Sequence, residues 1–213
     1  LRAGDEMLHK AFDYGMISIS SVASRMRFSY MEGLDYFTPE EQLEKPGILK
    51  EASRMFADTF GFKSDSFIAN CYIWDSLQEQ ELAKSGVRLL QGISNQILPT
   101  SNDGNSYRRH YMGQKNNFGQ FYLTRNAFFE PSIDRGKNCV EECLGRIRLA
   151  FRWGKPAIIA SHRLNYIGFI DSRNRDTNLR DLKVLLEQIV HNWPDVEFMS
   201  TDQLLPNYLE KSE

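Results

Sequence analysis

The chain lacks three features that would narrow its function at once. It has only three cysteines among 213 residues, Cys71, Cys139 and Cys143, and their spacing matches no metal-binding motif. No run of about 18 apolar residues occurs, so no membrane-spanning helix is predicted. The formal charge of −2, from 26 basic and 28 acidic residues, offers no basic surface for nucleic acid or anionic lipid. We therefore predict no nucleic-acid partner, and the compartment and oligomeric state stay open.

Recognised motifs for metal, phosphate or nucleophilic chemistry are also missing. The four histidines are scattered, without a His-x-His or His-x-x-x-His pair, and no glycine-rich phosphate loop or nucleophile elbow occurs. No metal ligands are therefore predicted within this chain. With 41% hydrophobic residues, the chain can nevertheless fill a substantial core.

Short apolar runs alternate with helical patterns through most of the chain. Strands are predicted at 66–70, 87–92, 120–126, 157–161 and 196–199. Helices are predicted at 38–60, with an interruption near Pro46 and Gly47, at 75–85, 138–153 and 177–193, and from Ser200 or Thr201 to Leu205. This alternation predicts a single α/β domain over residues 1–213, with mainly parallel strands and crossover helices, open or barrel-like.

Several finer expectations follow from the same patterns. In the helix at 38–60, the inward side chains are predicted to be Ile48, Ala52, Met55 and Phe56. Residues 93–118 are polar and predict a long loop that holds His110 in solvent. Cys139 and Cys143 are four residues apart on a helix, where buried packing is the expected role.

The most informative stretch is the apolar run from Ala157 to Ala160, which ends abruptly in Ser161, His162 and Arg163. A run this short fits a buried parallel strand that delivers polar groups to a pocket. Ligands of parallel α/β folds gather at the carboxyl ends of the strands, so His162 is the candidate catalytic residue. The alternative is a core histidine held by a backbone carbonyl.

Other predicted strand ends carry amides and guanidinium groups. The candidate substrate-binding residues are Asn70, Gln91, Arg125, Asn126, Glu130, Arg163 and Asn165. Such groups suit a neutral, hydroxyl-rich ligand, and carbohydrate fits that description. Aromatic platforms for a sugar face would come from Tyr72, Trp74, Tyr107, Tyr111 and Tyr166. For Arg125, Asn126 and Glu130, the alternative is an internal network of salt bridges and turn caps.

Five segments together resemble a known family. They are Phe60-Gly61-Phe62, Ser66 to Asn70, Gly86 to Gly92, Arg125-Asn126 with Phe129 to Ser132, and Pro156 to Arg163. This set is similar to the carboxyl-terminal two-thirds of polysaccharide deacetylase-like proteins, in the glycoside hydrolase/deacetylase superfamily. The resemblance implies an irregular (β/α)7-type barrel, of which this chain would be the carboxyl-terminal part.

The resemblance also implies a mechanism. In the family, a strand ending in histidine supplies the general acid, which corresponds to His162. The family's Asp-His-His site for a zinc-type divalent metal has no counterpart here, since Leu8-His9-Lys10 offers one histidine only. The chain also has Phe62 to Asp65 where typical members carry an Arg-Pro-rich motif. A divalent metal is therefore expected with ligands outside this chain.

Three functions stay open at this point. The leading expectation is a carbohydrate-active hydrolase, a metal-dependent N- or O-acetyl polysaccharide deacetylase. The first alternative is a non-catalytic glycan-binding barrel, which would need neither a metal nor a proton donor. The second is a glycosidase with paired carboxylates, for which Glu130 and Asp202 are the plausible pair.

Overall fold

The computed structural model describes residues 6–16, 32–100, 106–133 and 137–209. Its helices are α1 (Glu6–Asp13), α2 (Pro39–Phe60), α3 (Ser76–Lys84), α4 (Cys139–Arg152), α5 (Ser172–Asn192) and α6 (Thr201–Leu209). Its strands are β1 (Ser66–Ile68), β2 (Leu89–Gly92), β3 (Asn95–Leu98), β4 (Ser106–Arg109), β5 (Phe121–Thr124), β6 (Ala127–Phe128) and β7 (Ile159–Ala160). Within these ranges, no helix has the length and apolar character needed to cross a bilayer.

The strands confirm a mixed α/β fold with parallel pairing. A parallel three-stranded sheet has the order β1-β2-β5, and β6 pairs in parallel with β7. The strands β3 and β4 form an antiparallel pair. The described residues contain no closed barrel, so the (β/α)7 barrel stays a prediction.

The chain divides into two compact units, Leu1–Tyr122 and Leu123–Glu213, with the boundary inside β5. The prediction of one domain over residues 1–213 stays a prediction. The core of the first unit contains Leu34, Leu49, Ala69, Trp74, Leu82, Val87, Leu90 and Tyr122. The core of the second unit contains Ala127, Phe129, Cys143, Leu144, Ile147, Leu185 and Ile189. Cys143 is fully buried, as predicted from its place on a helix.

The helix α2 begins where its sequence predicts but is not interrupted. Thr38 accepts a hydrogen bond from the Glu41 amide at 3.2 Å, and Pro39 occupies the first turn, where a missing N–H costs nothing. The helix continues through Pro46 to Gly61, which ends it with a φ of 77°. The predicted interruption at Pro46 and Gly47 is therefore wrong.

The predicted inward face of α2 is also wrong. The side chain that α2 buries is Leu49, whereas Ile48 and Met55 are about half exposed, Ala52 is exposed and Phe56 is half-buried. Because one residue along a helix is a rotation of about 100°, shifting the inward position from Ile48 to Leu49 moves the whole predicted face toward solvent.

Three further expectations need correction. Residues 93–118 are not one loop, since β3 and β4 pair with Asn95 opposite Arg109; residues 101–105 lie outside the described ranges. The segment 196–199 is not a strand, and Phe198 and Met199 are exposed there. The helix α5 begins at Ser172 rather than 177, because the Asp171 side chain accepts a hydrogen bond from the Arg173 amide at 3.0 Å and caps it.

Candidate active site

The second unit holds a carboxylate and an imidazole in direct contact. Nδ1 of His162 lies 2.7 Å from Oε1 of Glu130. The backbone amide of His162 donates to the same carboxylate, at 3.2 Å from Oε1 and 3.4 Å from Oε2. Because an ionised carboxylate only accepts hydrogen bonds, this contact favours a ring with a proton on Nδ1, and it leaves Nε2 away from Glu130. The Glu130 side chain is 15% exposed and that of His162 is 65% exposed, so the imidazole reaches solvent above a shielded carboxylate.

The strand register explains why these two residues meet. In the parallel pair of β6 and β7, Phe128 lies opposite Ala160. Glu130 and His162 each follow two residues later, so they face each other just past the carboxyl ends of the two strands. The Phe129 amide donates to the Ala160 carbonyl at 2.9 Å and extends the pairing toward the site. The sequence places His162 at a strand end, and the register supplies its partner.

Asn165 organises the residues around this pair. It is fully buried in the 3-10 turn Arg163–Tyr166 that follows His162. Its Nδ2 donates to Oε2 of Glu130 at 2.8 Å and to the His162 carbonyl at 2.9 Å, while its Oδ1 accepts from the Ser132 amide at 3.0 Å. Asn165 therefore ties the loop after β6 to the loop after β7 and fixes the Glu130 carboxylate against His162.

This network continues to the start of α5 through residues that the sequence did not identify. Nδ2 of Asn178 donates to the Asn165 carbonyl at 2.7 Å and to Oγ of Ser132 at 2.8 Å. Oγ of Ser132 donates to Oδ1 of Asn174 at 2.8 Å. The sequence feature that could have identified them is the spacing of Asn174 and Asn178, which are four residues apart and so share one face of a helix. The sequence predicts a loop at Asn174 and the start of a helix just before Asn178.

The remaining candidates of the second unit have different environments. Asn126 supports the backbone, because its Nδ2 donates to the Pro156 carbonyl at 2.9 Å and its Oδ1 accepts from the Ile158 amide at 2.7 Å. These contacts agree with the alternative prediction for Asn126, in which its side chain caps a turn and does not bind substrate. Arg125 is half-buried, and Arg163 is exposed in the turn after His162. Substrate contact by these residues stays a prediction.

Asn70 and Gln91 belong to the first unit. Asn70 is exposed and opens the 3-10 turn Asn70–Tyr72 after β1, and Gln91 is half-buried in β2. The parallel pairing of these strands places Ile68 opposite Gln91. Their role as substrate-binding residues stays a prediction.

The aromatic side chains predicted as sugar platforms divide into three groups. Trp74 is 3% exposed in the core of the first unit, so it cannot present a face to a ligand, and that expectation is wrong. Tyr107 and Tyr111 are exposed, and Tyr72 is half-buried. Tyr166 lies in the second unit, where its hydroxyl is 2.8 Å from Oγ of Ser161.

A second polar cluster is buried in the first unit, around His110 and Glu79. Glu79 is 2% exposed, and its carboxylate accepts from Nε1 of Trp74 at 2.9 Å and from the Tyr122 hydroxyl at 2.7 Å. The ring of His110 stacks on that of Tyr122, with centroids 3.6 Å apart and planes at 19°. His110 is 3% exposed, so the expectation of a solvated loop histidine is wrong.

Burial decides the charge state of His110. Gln96 uses its Nε2 to donate to the Trp74 carbonyl, so its Oε1 accepts from Nε2 of His110. Burial, followed by the positive charge of Arg108, lowers the pKa of His110 to about 4. Gln114 favours the charged form only weakly, since Nδ1 forms no hydrogen bond of good geometry within the described chain. His110 is therefore a neutral structural residue.

Across 6–16, 32–100, 106–133 and 137–209, no three His, Cys, Asp or Glu side chains cluster as metal ligands do. Glu130 and His162 are two potential ligands, but both carboxylate oxygens and Nδ1 are already used in hydrogen bonds. The pair therefore does not fit the three-ligand zinc site that the resemblance implies, and a divalent metal stays a prediction.

Comparisons with protein-family models, with curated proteins and with solved structures found no significant match to this chain. A function for this chain is therefore inferred from the geometry of Glu130, His162 and Asn165.

Proposed function

We propose that the chain is a carbohydrate-active hydrolase of the deacetylase type, with His162 as its proton-transfer residue. The observation that supports this proposal is the 2.7 Å contact between Nδ1 of His162 and the shielded Glu130 carboxylate. A carboxylate that accepts from Nδ1 holds the imidazole in one tautomer and one orientation. The exposed Nε2 is then available to exchange a proton with a bound substrate.

In the proposed reaction, water adds to the carbonyl carbon of an N- or O-acetyl group, and Nε2 of His162 accepts the proton that the water loses. The bond between the carbonyl carbon and the sugar nitrogen or oxygen then breaks, and Nε2 returns the proton to that leaving group. Acetate and a deacetylated sugar are the products. Glu130 and Asn165 act as positioning residues, since they contact the imidazole or its carboxylate partner rather than the reacting atoms.

The substrate class is inferred from Arg163, whose guanidinium is exposed in the turn directly after His162. Guanidinium groups recognise hydroxyl-rich ligands. The glycosidase alternative is less well supported, because Glu130 is held between the ring of His162 and the amide of Asn165. A general acid would need a proton on that carboxyl and a free path to substrate.

The test is release of acetate from chitooligosaccharides and from O-acetylated polysaccharide, measured with and without added zinc. We expect His162→Gln to lower kcat about 10²- to 10⁴-fold, the usual contribution of a positioned acid-base group. We expect Glu130→Gln to lower kcat about 10²-fold with KM little changed, and Glu130→Asp to retain more activity because it keeps the negative charge. The matched control is His191→Gln, which changes an exposed histidine of α5.

Activity of His162→Gln equal to that of the wild type would contradict the proposal. If the wild type and His162→Gln both bind glycan but neither releases acetate, the result would instead favour the non-catalytic glycan-binding alternative.

A further inference from the structure

A cavity in the second unit lies outside the contacts between Glu130 and His162. It has a volume of about 530 Å³ and lies between the first turn of α4 and the first three turns of α5. This volume is in the range of pockets that take small ligands. Pro131 and Val140 supply apolar wall, and Thr177 of α5 supplies a hydroxyl.

The charges around the cavity cancel. Lys137 and Arg173 are its cations, and Asp171 and Asp181 are its anions. Arg173 is already neutralised, since its Nε and a terminal nitrogen each donate to the Asp171 carboxylate at 3.0 Å. The walls therefore offer hydrogen-bond donors and acceptors of both kinds without net side-chain charge, which suits a neutral polar ligand.

The cavity is linked to the His162 site by hydrogen bonds. Asn174 and Asn178 line it, and both contact Oγ of Ser132 at 2.8 Å. Asn178 also donates to the Asn165 carbonyl at 2.7 Å. Asn165 in turn holds Glu130. A ligand in the cavity would therefore touch Asn178, which is two hydrogen bonds away, through Asn165, from the Glu130 carboxylate that orients His162.

We propose that this cavity is a sugar-binding subsite that takes a neutral, hydroxyl-rich unit of the glycan chain. Asp181 and Thr177 would bind its hydroxyl groups, and Pro131 and Val140 would contact its apolar face. This inference rests on the proposed function for the identity of the ligand. It goes further in assigning glycan contact to α4 and α5, outside the strand ends that carry Glu130 and His162.

Cys139 provides a measurement that does not depend on catalysis. It lines the cavity and is half-buried, whereas Cys143, one turn later, is fully buried with its pKa raised to about 11 by burial. In a Cys71→Ser variant of the full chain, a thiol reagent should therefore modify Cys139 selectively. We expect the chitin hexasaccharide to slow this modification severalfold. An oligogalacturonate of equal length, which is anionic, should slow it less.

The matched variants are Asp181→Ala and Asp176→Ala, made in the Cys71→Ser background. Both remove a carboxylate from α5, but Asp176 lies outside the cavity lining. We expect Asp181→Ala to raise the hexasaccharide concentration for half-protection about tenfold, as loss of a hydrogen bond from a charged group does. Asp176→Ala should leave that concentration unchanged.

Two results would overturn the subsite. One is a rate of Cys139 modification that does not change when the hexasaccharide is present at concentrations at which the protein binds it. The other is equal protection of Cys139 in Asp181→Ala and Asp176→Ala. Stronger protection by the oligogalacturonate would overturn the assignment of a neutral ligand. If sugar protects Cys139 in a chain that releases no acetate, the subsite stands and the proposed hydrolysis fails. If acetate release depends on His162 but Cys139 ignores sugar, the hydrolysis stands and the subsite fails.

Discussion

Acidification should destabilise the first unit through His110, and the size of the effect follows from its burial. The unfolded chain protonates this imidazole near its ordinary pKa of 6.5, whereas the folded chain resists protonation until about 4. Between these two values the unfolded state binds more protons, so stability falls as the pH falls. Above about pH 6.5 the contribution is fully present, and below about pH 4 both states are protonated and no further loss arises from this residue.

The magnitude can be worked out directly. A gap of about 2.5 pH units, at about 1.4 kcal/mol for each, corresponds to about 3.5 kcal/mol over the whole window. Between about pH 7.5 and about pH 5.5 the expected loss is about 1.4 kcal/mol. A charged His110 would gain a cation-π contact with the stacked ring of Tyr122, but loss of hydration dominates for a side chain that is 3% exposed.

The assay is urea unfolding at several pH values, followed by the fluorescence of Trp74. Trp74 lies 6.2 Å from His110 between ring centroids, and Trp153→Phe with Trp193→Phe removes the signal of the second unit. The comparison variant is His110→Gln, which cannot titrate but keeps a donor for Gln96. We expect its free energy of unfolding to lose about 1.4 kcal/mol less than the parent between about pH 7.5 and about pH 5.5.

The matched control is His191→Gln, which should keep the pH dependence of the parent because His191 is exposed. NMR titration of the His110 ring gives the folded-state pKa independently, even if His110→Gln folds poorly. Equal pH dependence in the parent and in His110→Gln, or a ring that becomes protonated near pH 6.5, would refute the reasoning.

Two further predictions concern stability. Pro46→Ala should stabilise the protein by about 2 kcal/mol in thermal unfolding, because it restores an N–H inside α2 and removes a ring clash. The control is Pro39→Ala in the first turn, which should not change stability. Equal shifts in Tm for the two variants would contradict this reasoning. Asn165→Ala should cost about 3 kcal/mol in urea unfolding, because buried partners lose their hydrogen bonds. The exposed Asn192→Ala should cost less than about 0.5 kcal/mol, and a similar cost for both would contradict the role of Asn165.

Local signals in the sequence predicted the elements that depend on local interactions. Asp75 caps α3 by accepting from the amides of Leu77 and Gln78, and Gly61 ends α2 in the left-handed conformation. These effects involve residues within four positions of each other, so a single sequence contains them. The predicted interruption at Pro46 is wrong for a physical reason. A proline inside a helix costs free energy locally, but the burial of Leu49 and the hydrogen bonds of the remaining turns of α2 outweigh that cost.

Non-local pairing was harder to predict. The strands β3 and β4 contain Asn95, Gln96 and Arg108, which have little strand preference, and their pairing is a long-range interaction. Gln96 is fully buried because it binds His110, fourteen residues away. Conversely, Phe198 lies in an apolar run of good strand character, but no strand of the described chain pairs with it.

In the candidate site, too, the local feature was predictable and the non-local contact was not. His162 was predicted from an apolar run that ends in polar residues, and Glu130 was identified only as one of several candidates near strand ends. Their contact depends on the register of β6 and β7, which places Phe128 opposite Ala160. Register is a property of two strands together, and a shift of one residue would have turned Glu130 away from His162.

Asn165 also determines how the loops around the site can move. Its Oδ1 accepts from the Ser132 amide after β6, and its Nδ2 holds the carboxylate that accepts from the His162 amide after β7. Neither loop can open by itself without leaving the buried amide of Asn165 unsatisfied. We therefore expect the two loops to open together in local unfolding, so that the amide hydrogens of Ser132 and His162 exchange with solvent through the same opening event.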